Sequence, residues 1–279
     1  GGIILWRTQY TVKGKAQFQG SAAYLDVVTQ VNFGPRIPGS DAHQREIEWI
    51  RSETEKAGWT VEVQETELSG KPIQNVIAKR GEGEPFIILG AHYDSRLYAD
   101  QDPDPLKQNL PVPGANDGAS GVAVLTELAR VLPEDFPGEI WLVFFDAEDN
   151  GKISGWDWIM GSSVFVDRLE QMPNAVVIVD MIGDADLNVY REGNSDITLM
   201  NTIWKQAKTL GYGDKIIDQE KYFMIDDHTP FRTKGIPAVD MIDFDYPYWH
   251  TVSDTADKVS PESLEVVGRT LQAWIKSLE

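Results

Sequence analysis

The sequence predicts an α/β fold, a single three-layer α/β/α domain on a mixed, mainly parallel central sheet. Three observations lead there. Several short runs are continuously apolar rather than alternating, the pattern of strands covered on both faces. These runs alternate with helix-length segments, the order expected of a parallel sheet with crossover helices. The polar clusters fall just past the apolar runs, where open α/β sheets place their sites. With 279 residues and 42% hydrophobic content, the chain can bury a full core. Length alone allows one large or two small domains, and the shared placement of the clusters favours one. Residues 1–34 read as an N-terminal extension and first helix belonging to the same domain as residues 35–279.

In order along the chain, residues 42–57 carry Ile47, Trp49, Ile50 and Ala57 at loosely helical spacing. Gly58 supplies a stop, so a helix is predicted. Thr60–Leu68 and Ile73–Lys79 alternate and read as strands. Phe86–Gly90 is continuously apolar, a buried strand running into Ala91-His92-Tyr93-Asp94. The Pro- and Asp-rich stretch Asp100–Pro113 has the composition of an exposed loop. Gly121–Leu132 places Val122, Leu125, Leu128, Ala129 and Leu132 on one helical face. Glu139–Phe145 and Ala175–Val179 are further buried strands, and Ile197–Leu210 is a helix. Pro237–Phe244 is a fourth buried strand, and Pro261–Leu278 is a closing amphipathic helix.

Lys and Arg number 25 against 44 Asp and Glu, a formal net charge of −19. Such a surface repels phosphate backbones, which argues against nucleic acid as a partner. It is either a plain solvated surface or one that attracts cationic peptides. The absence of Cys excludes disulfides, thiolate chemistry and cysteine zinc sites. No uncharged apolar run approaches the roughly 18 residues of a membrane helix, and no signal peptide is visible. The opening Gly1-Gly2 leaves room for an upstream export signal that has been cut away.

Of the four histidines, His43 begins a helix and is expected at the surface. His92, in His92-Tyr93-Asp94-Ser95, is either structural or a metal ligand with its own orienting carboxylate. Asp117 is the one formal charge in the small-residue run Gly114–Gly121. It is either an N-cap for the following helix or a group beside a closely approached ligand. Asp146-Ala147-Glu148-Asp149-Asn150 ends a buried strand, where neighbouring side chains diverge, so one carboxylate can bind metal while another faces substrate. Asp180 ends the strand AVVIV. Asp226-Asp227-His228 and Tyr246-Pro247-Tyr248-Trp249-His250-Thr251 complete the set. The last is either plain core packing or the place where a histidine completes a zinc set of the His/Asp/Glu kind, since catalytic zinc takes three protein ligands.

The ordered motifs HYDS, GANDGASG, FFDAED, DMIG, DDHTPF and WHT resemble the M28 zinc aminopeptidase superfamily. Within it the chain looks most like the glutaminyl-peptide cyclotransferases. The resemblance runs from Pro35-Arg36-Ile37-Pro38-Gly39-Ser40 to the last helix. It implies zinc ligands Asp117, Asp149 and His250, with Glu148 as general acid/base and Asp180 and Asp226 as a carboxylate network beside it. Trp249 and a tryptophan of the segment 151–161, Trp156 or Trp158, would line the substrate pocket. The resemblance also implies a cis Asp117–Gly118 peptide. Two departures stand out. Asp149 occupies a position usually held by Glu, and the cysteines of some animal cyclases are missing.

Two activities follow from the resemblance. A cyclase, with one zinc, would convert the N-terminal Gln of peptides to pyroglutamate with release of ammonia. An aminopeptidase, with two zinc ions, would use His92 and Asp180 for the second and Asp117 as a bridge. Export from the cell is implied by the resemblance alone.

Overall fold

The computed structural model describes residues 16–278, and the first part of the predicted N-terminal extension lies outside them. The strands are β1 (Thr60–Leu68), β2 (Lys71–Gly81), β3 (Phe86–His92), β4 (Glu139–Phe145), β5 (Ala175–Asp180), β6 (Val189–Glu192), β7 (Ile216–Tyr222) and β8 (Ala238–Ile242). The helices are α1 (Gly20–Phe33), α2 (Asp41–Lys56), α3 (Ala119–Val131), α4 (Met160–Asp167), α5 (Ile197–Thr209), α6 (His228–Thr233) and α7 (Pro261–Lys276).

Six strands form the central sheet in the order β1-β2-β4-β3-β5-β8. The four strands β4, β3, β5 and β8 run parallel, while β2 is antiparallel to both β1 and β4. The parallel strands are mainly apolar because both of their faces meet helices; polar residues fall mostly at strand ends, and Asp240 within β8 is the buried exception. In β3, Ile87 and Leu89 enter one apolar layer while Phe86 and Ile88 enter the other. The larger layer holds residues of α1, α2, α3, α5 and α7, and the smaller one residues near α4 and α6. Helix α3 presses hard on the sheet: a Cβ at Gly121 would lie 2.5 Å from the Val179 carbonyl oxygen. Only glycine permits that approach.

The predicted fold class holds, and the predicted elements shift by a few residues at most. Helices α4 and α6 are short, and β6–β7 is a separate two-stranded sheet, so these went unread. His43 is a correction. It is buried, stacks on Tyr93 at 5.0 Å and meets Asp146 Oδ1 through Nε2 at 2.7 Å. Its helix starts under the sheet edge, not in solvent. The loop after Asp100 lies at the surface but is pinned by Asp102, which accepts the Val252 amide at 3.1 Å.

Candidate active site

The four parallel strands end at one edge of the sheet, and each delivers polar groups there. β3 ends at His92 and β5 at Asp180. β4 is followed by residues 146–149, and the turn after β8 carries Trp249 and His250. Asp117 arrives on the loop before α3. The resulting cleft, about 340 Å³, has Asp117, Glu148, Asp149, Asp180, Asp226 and His250 at its base.

The acidic turn after β4 departs from strand alternation, under which Asp146 and Glu148 would share a side and the neighbours Glu148 and Asp149 would diverge. Asp146 points away to His43 and the Gln74 amide. A left-handed Ala147 (φ 51°) then turns Glu148 and Asp149 into the cleft. Asp94 clamps this turn: its carboxylate accepts the amides of Glu148 at 3.0 Å and Asp149 at 3.3 Å, and the Asn150 side chain at 3.1 Å. Asp254 does the same for the facing loop, accepting the amides of Asn116 at 2.8 Å and Asp117 at 3.2 Å.

His250 Nε2 lies 2.7 Å from Asp149 Oδ1 and 3.6 Å from Asp117 Oδ2, and its Nδ1 lies 3.4 Å from Asp100. His92 Nε2 lies 3.2 Å from Asp117 Oδ1 and 3.1 Å from Asp180 Oδ1, with Nδ1 facing Asp94 at 3.4 Å. Two donor sets therefore converge, each within 4.8 Å: Asp117, Asp149 and His250, and His92, Asp117 and Asp180. Asp117 belongs to both. Its side chain does not cap α3; Gly118 occupies that place without a side-chain bond.

These donors suit zinc. Imidazole nitrogen and carboxylate oxygen are both zinc ligands, and three protein donors are the number a catalytic zinc takes. Asp117 Oδ2 and Asp149 Oδ2 are buried with no hydrogen-bond partner, a costly arrangement that a cation relieves. Charge crowding is evident elsewhere. Burial pushes Glu148 well above the ordinary carboxylate range, with Asp226, Asp149 and Asp227 adding to the push against the pull of His92. Burial and then Asp117 raise Asp149 to about 6. Burial raises Asp180 to about 7, with Asp226 adding to it and His92 opposing. Burial alone would lower His250, but Asp149 and Asp100 carry it up to about 9.

The structure separates the two candidate tryptophans. Trp158 lines the cleft with its ring 6.2 Å from that of His250, and Trp249 stacks on the same imidazole at 3.8 Å. Trp156 lies elsewhere, packed near Ile73 and Met160 under the Lys71 ammonium. The Asp117–Gly118 peptide is a second correction. The only cis bond among the described residues is Glu84–Pro85. Gly118 takes φ 100°, ψ −60°, and that turn aims the Asp117 carboxylate between the histidines through a trans peptide.

Sequence reasoning missed Arg96, which is buried in the base of the site. It forks Asp100 at 3.0 and 2.6 Å, donates to the carbonyls of Asp149 at 2.6 Å and Gly151 at 3.2 Å, and lies 5.0 Å from the Trp158 ring centre. It thus links a partner of His250, the backbone of Asp149 and a pocket wall. Asp254 and Asp100 were also missed. None of the three stands in a motif.

The family model described as peptidase family M28 matches residues 75–275. The chain is 35% identical over 172 residues to the uncharacterized protein YfbL of Escherichia coli, covering 61% of this chain and half (50%) of that one. A solved glutaminyl cyclase of Bacteroides thetaiotaomicron, bound to N-acetylhistamine, superposes with a TM-score of 0.88 at 32% identity, covering 94% of this chain and 99% of that one. A Zn-dependent exopeptidase of Parabacteroides distasonis does so with a TM-score of 0.88 at 31% identity, covering 94% and 99%. With nearly three quarters of its length matched by the family model and the fold shared over 94% of it, the chain belongs to peptidase family M28.

Proposed function

We propose that this protein is a zinc-dependent glutaminyl-peptide cyclotransferase, converting the N-terminal Gln of peptides or proteins to pyroglutamate with release of ammonia. The observation that carries the reading is the shape of the cleft. Trp158 and Trp249 both stack toward the imidazole of His250 and line, with buried Glu148, a pocket of about 340 Å³. Such a pocket suits one terminal residue with a planar amide. The likeness to the solved Bacteroides cyclase over 94% of the chain supports it.

Asp117, Asp149 and His250 would hold the zinc ion. When bound, it would supply Lewis-acid polarisation of the Gln side-chain carbonyl. The two tryptophans hold the Gln side chain curled so that its α-amine faces its own amide carbon, which removes much of the entropic barrier. Glu148 accepts a proton from the α-amine as the new N–C bond forms. It then returns that proton to the amide nitrogen, which leaves as ammonia when the old C–N bond breaks. A raised carboxylate is closer in basicity to that amine than an ordinary one, as general acid/base work at neutral pH requires. Asp180 and Asp226 sit beside Glu148 and hold the amine end.

A second reading, an M28 aminopeptidase, is favoured by the second donor set of His92, Asp117 and Asp180. There Glu148 would take a proton from the attacking water. Two zinc ions per chain would accompany that activity and one the cyclase. Among the described residues, no helix is long and apolar enough to cross a membrane. An exported enzyme is the reading we adopt from the family resemblance.

The test is ammonia release from Gln-Phe-Ala by zinc-loaded protein, with mass spectrometry of the peptide. A peptide lighter by one ammonia, formed faster than the spontaneous background, supports the cyclase. Free Gln and Phe-Ala would establish the aminopeptidase instead.

A further inference from the structure

Large apolar side chains are held in the open at the mouth of the cleft. The chain leaving β7 passes along one wall as Phe223, Met224 and Ile225. Met224 turns inward and packs with Met181, Ile242 and Tyr246. Phe223 and Ile225 stay 65% and 69% exposed.

The strip is fixed from beneath. Buried Glu192 accepts the Met224 amide at 2.8 Å, and the Asn194 side chain donates to the Met224 carbonyl at 2.9 Å. The Phe223 ring lies directly on Gly193, where a Cβ would fall 2.2 Å from it. Both polar groups of one residue are tied down while its two apolar neighbours remain in solvent. Adjacent apolar groups, ordered and exposed beside a cleft, mark a surface awaiting a ligand.

The occupant follows from continuity with the catalytic cleft and from the order of groups along it. Carboxylates and the paired tryptophans lie within, where the terminal residue sits, and Phe223 and Ile225 lie at the rim. The first part of the substrate to reach them is the side chain after the terminal Gln. We propose that Phe223 and Ile225 form the subsite for that second residue and select large apolar side chains there. The proposal rests on the cyclase reading.

The experiment compares kcat/KM for Gln-Phe-Ala, Gln-Gly-Ala and Gln-Asp-Ala in the parent and in the Phe223→Ser/Ile225→Ser double variant, with pyroglutamate as the readout. In the parent, Phe at position two is expected to exceed Gly by about 10-fold or more, the scale on which an apolar pocket discriminates, and Asp is expected to fall below Gly. In the double variant the Phe-to-Gly ratio collapses toward one, through a higher KM for Gln-Phe-Ala. Equal turnover of the Phe and Gly peptides by the parent, with pyroglutamate formed, overturns the subsite alone. So does an unchanged ratio in the variant. Free Gln in place of pyroglutamate from every peptide overturns the cyclase reading, and the subsite with it.

Discussion

Replacing Arg96 by methionine tests whether a buried cation outside every motif governs the metal site. Methionine keeps much of the volume and removes all donors. The carbonyls of Asp149 and Gly151 lose partners at 2.6 and 3.2 Å, and an orphaned buried acceptor costs about 1–3 kcal/mol. The Asp100 side chain is 40% exposed, so water compensates it and its lost fork adds little. For the two carbonyls the sum is roughly 2–6 kcal/mol of folding stability. Asp100 also stops holding His250 at Nδ1, and losing such an outer partner typically weakens metal binding by about 10–100-fold. Competition against a chromophoric chelator reads the zinc affinity, and urea unfolding of the chelated protein reads the stability. Arg96→Lys should fall between, because one ammonium cannot serve a planar fork and two carbonyls together. An unchanged zinc affinity in folded Arg96→Met protein would refute the reasoning.

Further tests follow from other parts of the molecule. Glu148→Gln should lower kcat by about 10²–10⁴-fold while zinc still binds; turnover within tenfold of the parent would remove Glu148 from its role. Burial raises Glu46 from 4.5 to about 8 against the pull of Arg36. Its contribution is therefore full below about pH 4.5 and is lost as pH rises toward 8. Glu46→Gln should gain on the parent by urea unfolding at pH 8 and not at pH 5; a pH-independent difference argues against it. Gly121→Ala would drive a Cβ to 2.5 Å from the Val179 carbonyl oxygen and 2.9 Å from the Ala91 Cβ. It should cost about 1–3 kcal/mol by overpacking, outweighing the helical gain of alanine; a raised Tm would show that the approach relaxes freely.

The sheet was legible because its strands solve one physical problem. A strand buried on both faces needs apolar residues throughout, so FIILG, EIWLVFF and AVVIV announce themselves. The site was legible because strand ends need no polar groups for stability, so His92, Glu148, Asp149 and Asp180 stand out. What stayed hidden depends on distance in sequence. His43 looks like any polar residue in the first turn of a helix until Asp146 arrives from 103 positions away. Arg96 follows a motif, but its value lies in carbonyls 53 and 55 positions on. Trp156 and Trp158 could not be told apart because the backbone between Gly151 and Gly161 follows no regular period. The Asp117–Gly118 geometry came from likeness rather than from the residues, and there the likeness misled.

The crowding of acids at the strand ends ties the metal to stability and predicts a pH signature. Asp149, Asp180 and Asp254 are raised from 3.8 to about 6, 7 and 7, each first by burial. Their contribution to the chelated protein is full below about pH 4 and is lost as pH rises through 6 to 7. His250, raised from 6.5 to about 9, contributes below about pH 6.5 and loses that contribution as pH rises through 9. Both kinds of group therefore weaken the chelated protein in the same direction. Zinc reverses the preference, since its donors must be a neutral imidazole and ionised carboxylates. The difference in Tm between zinc-loaded and chelated protein should widen steadily from about pH 5.5 to about pH 8. A gap that stays constant over that range would mean that zinc binds away from these carboxylates, and that the orphaned oxygens of Asp117 and Asp149 have another purpose.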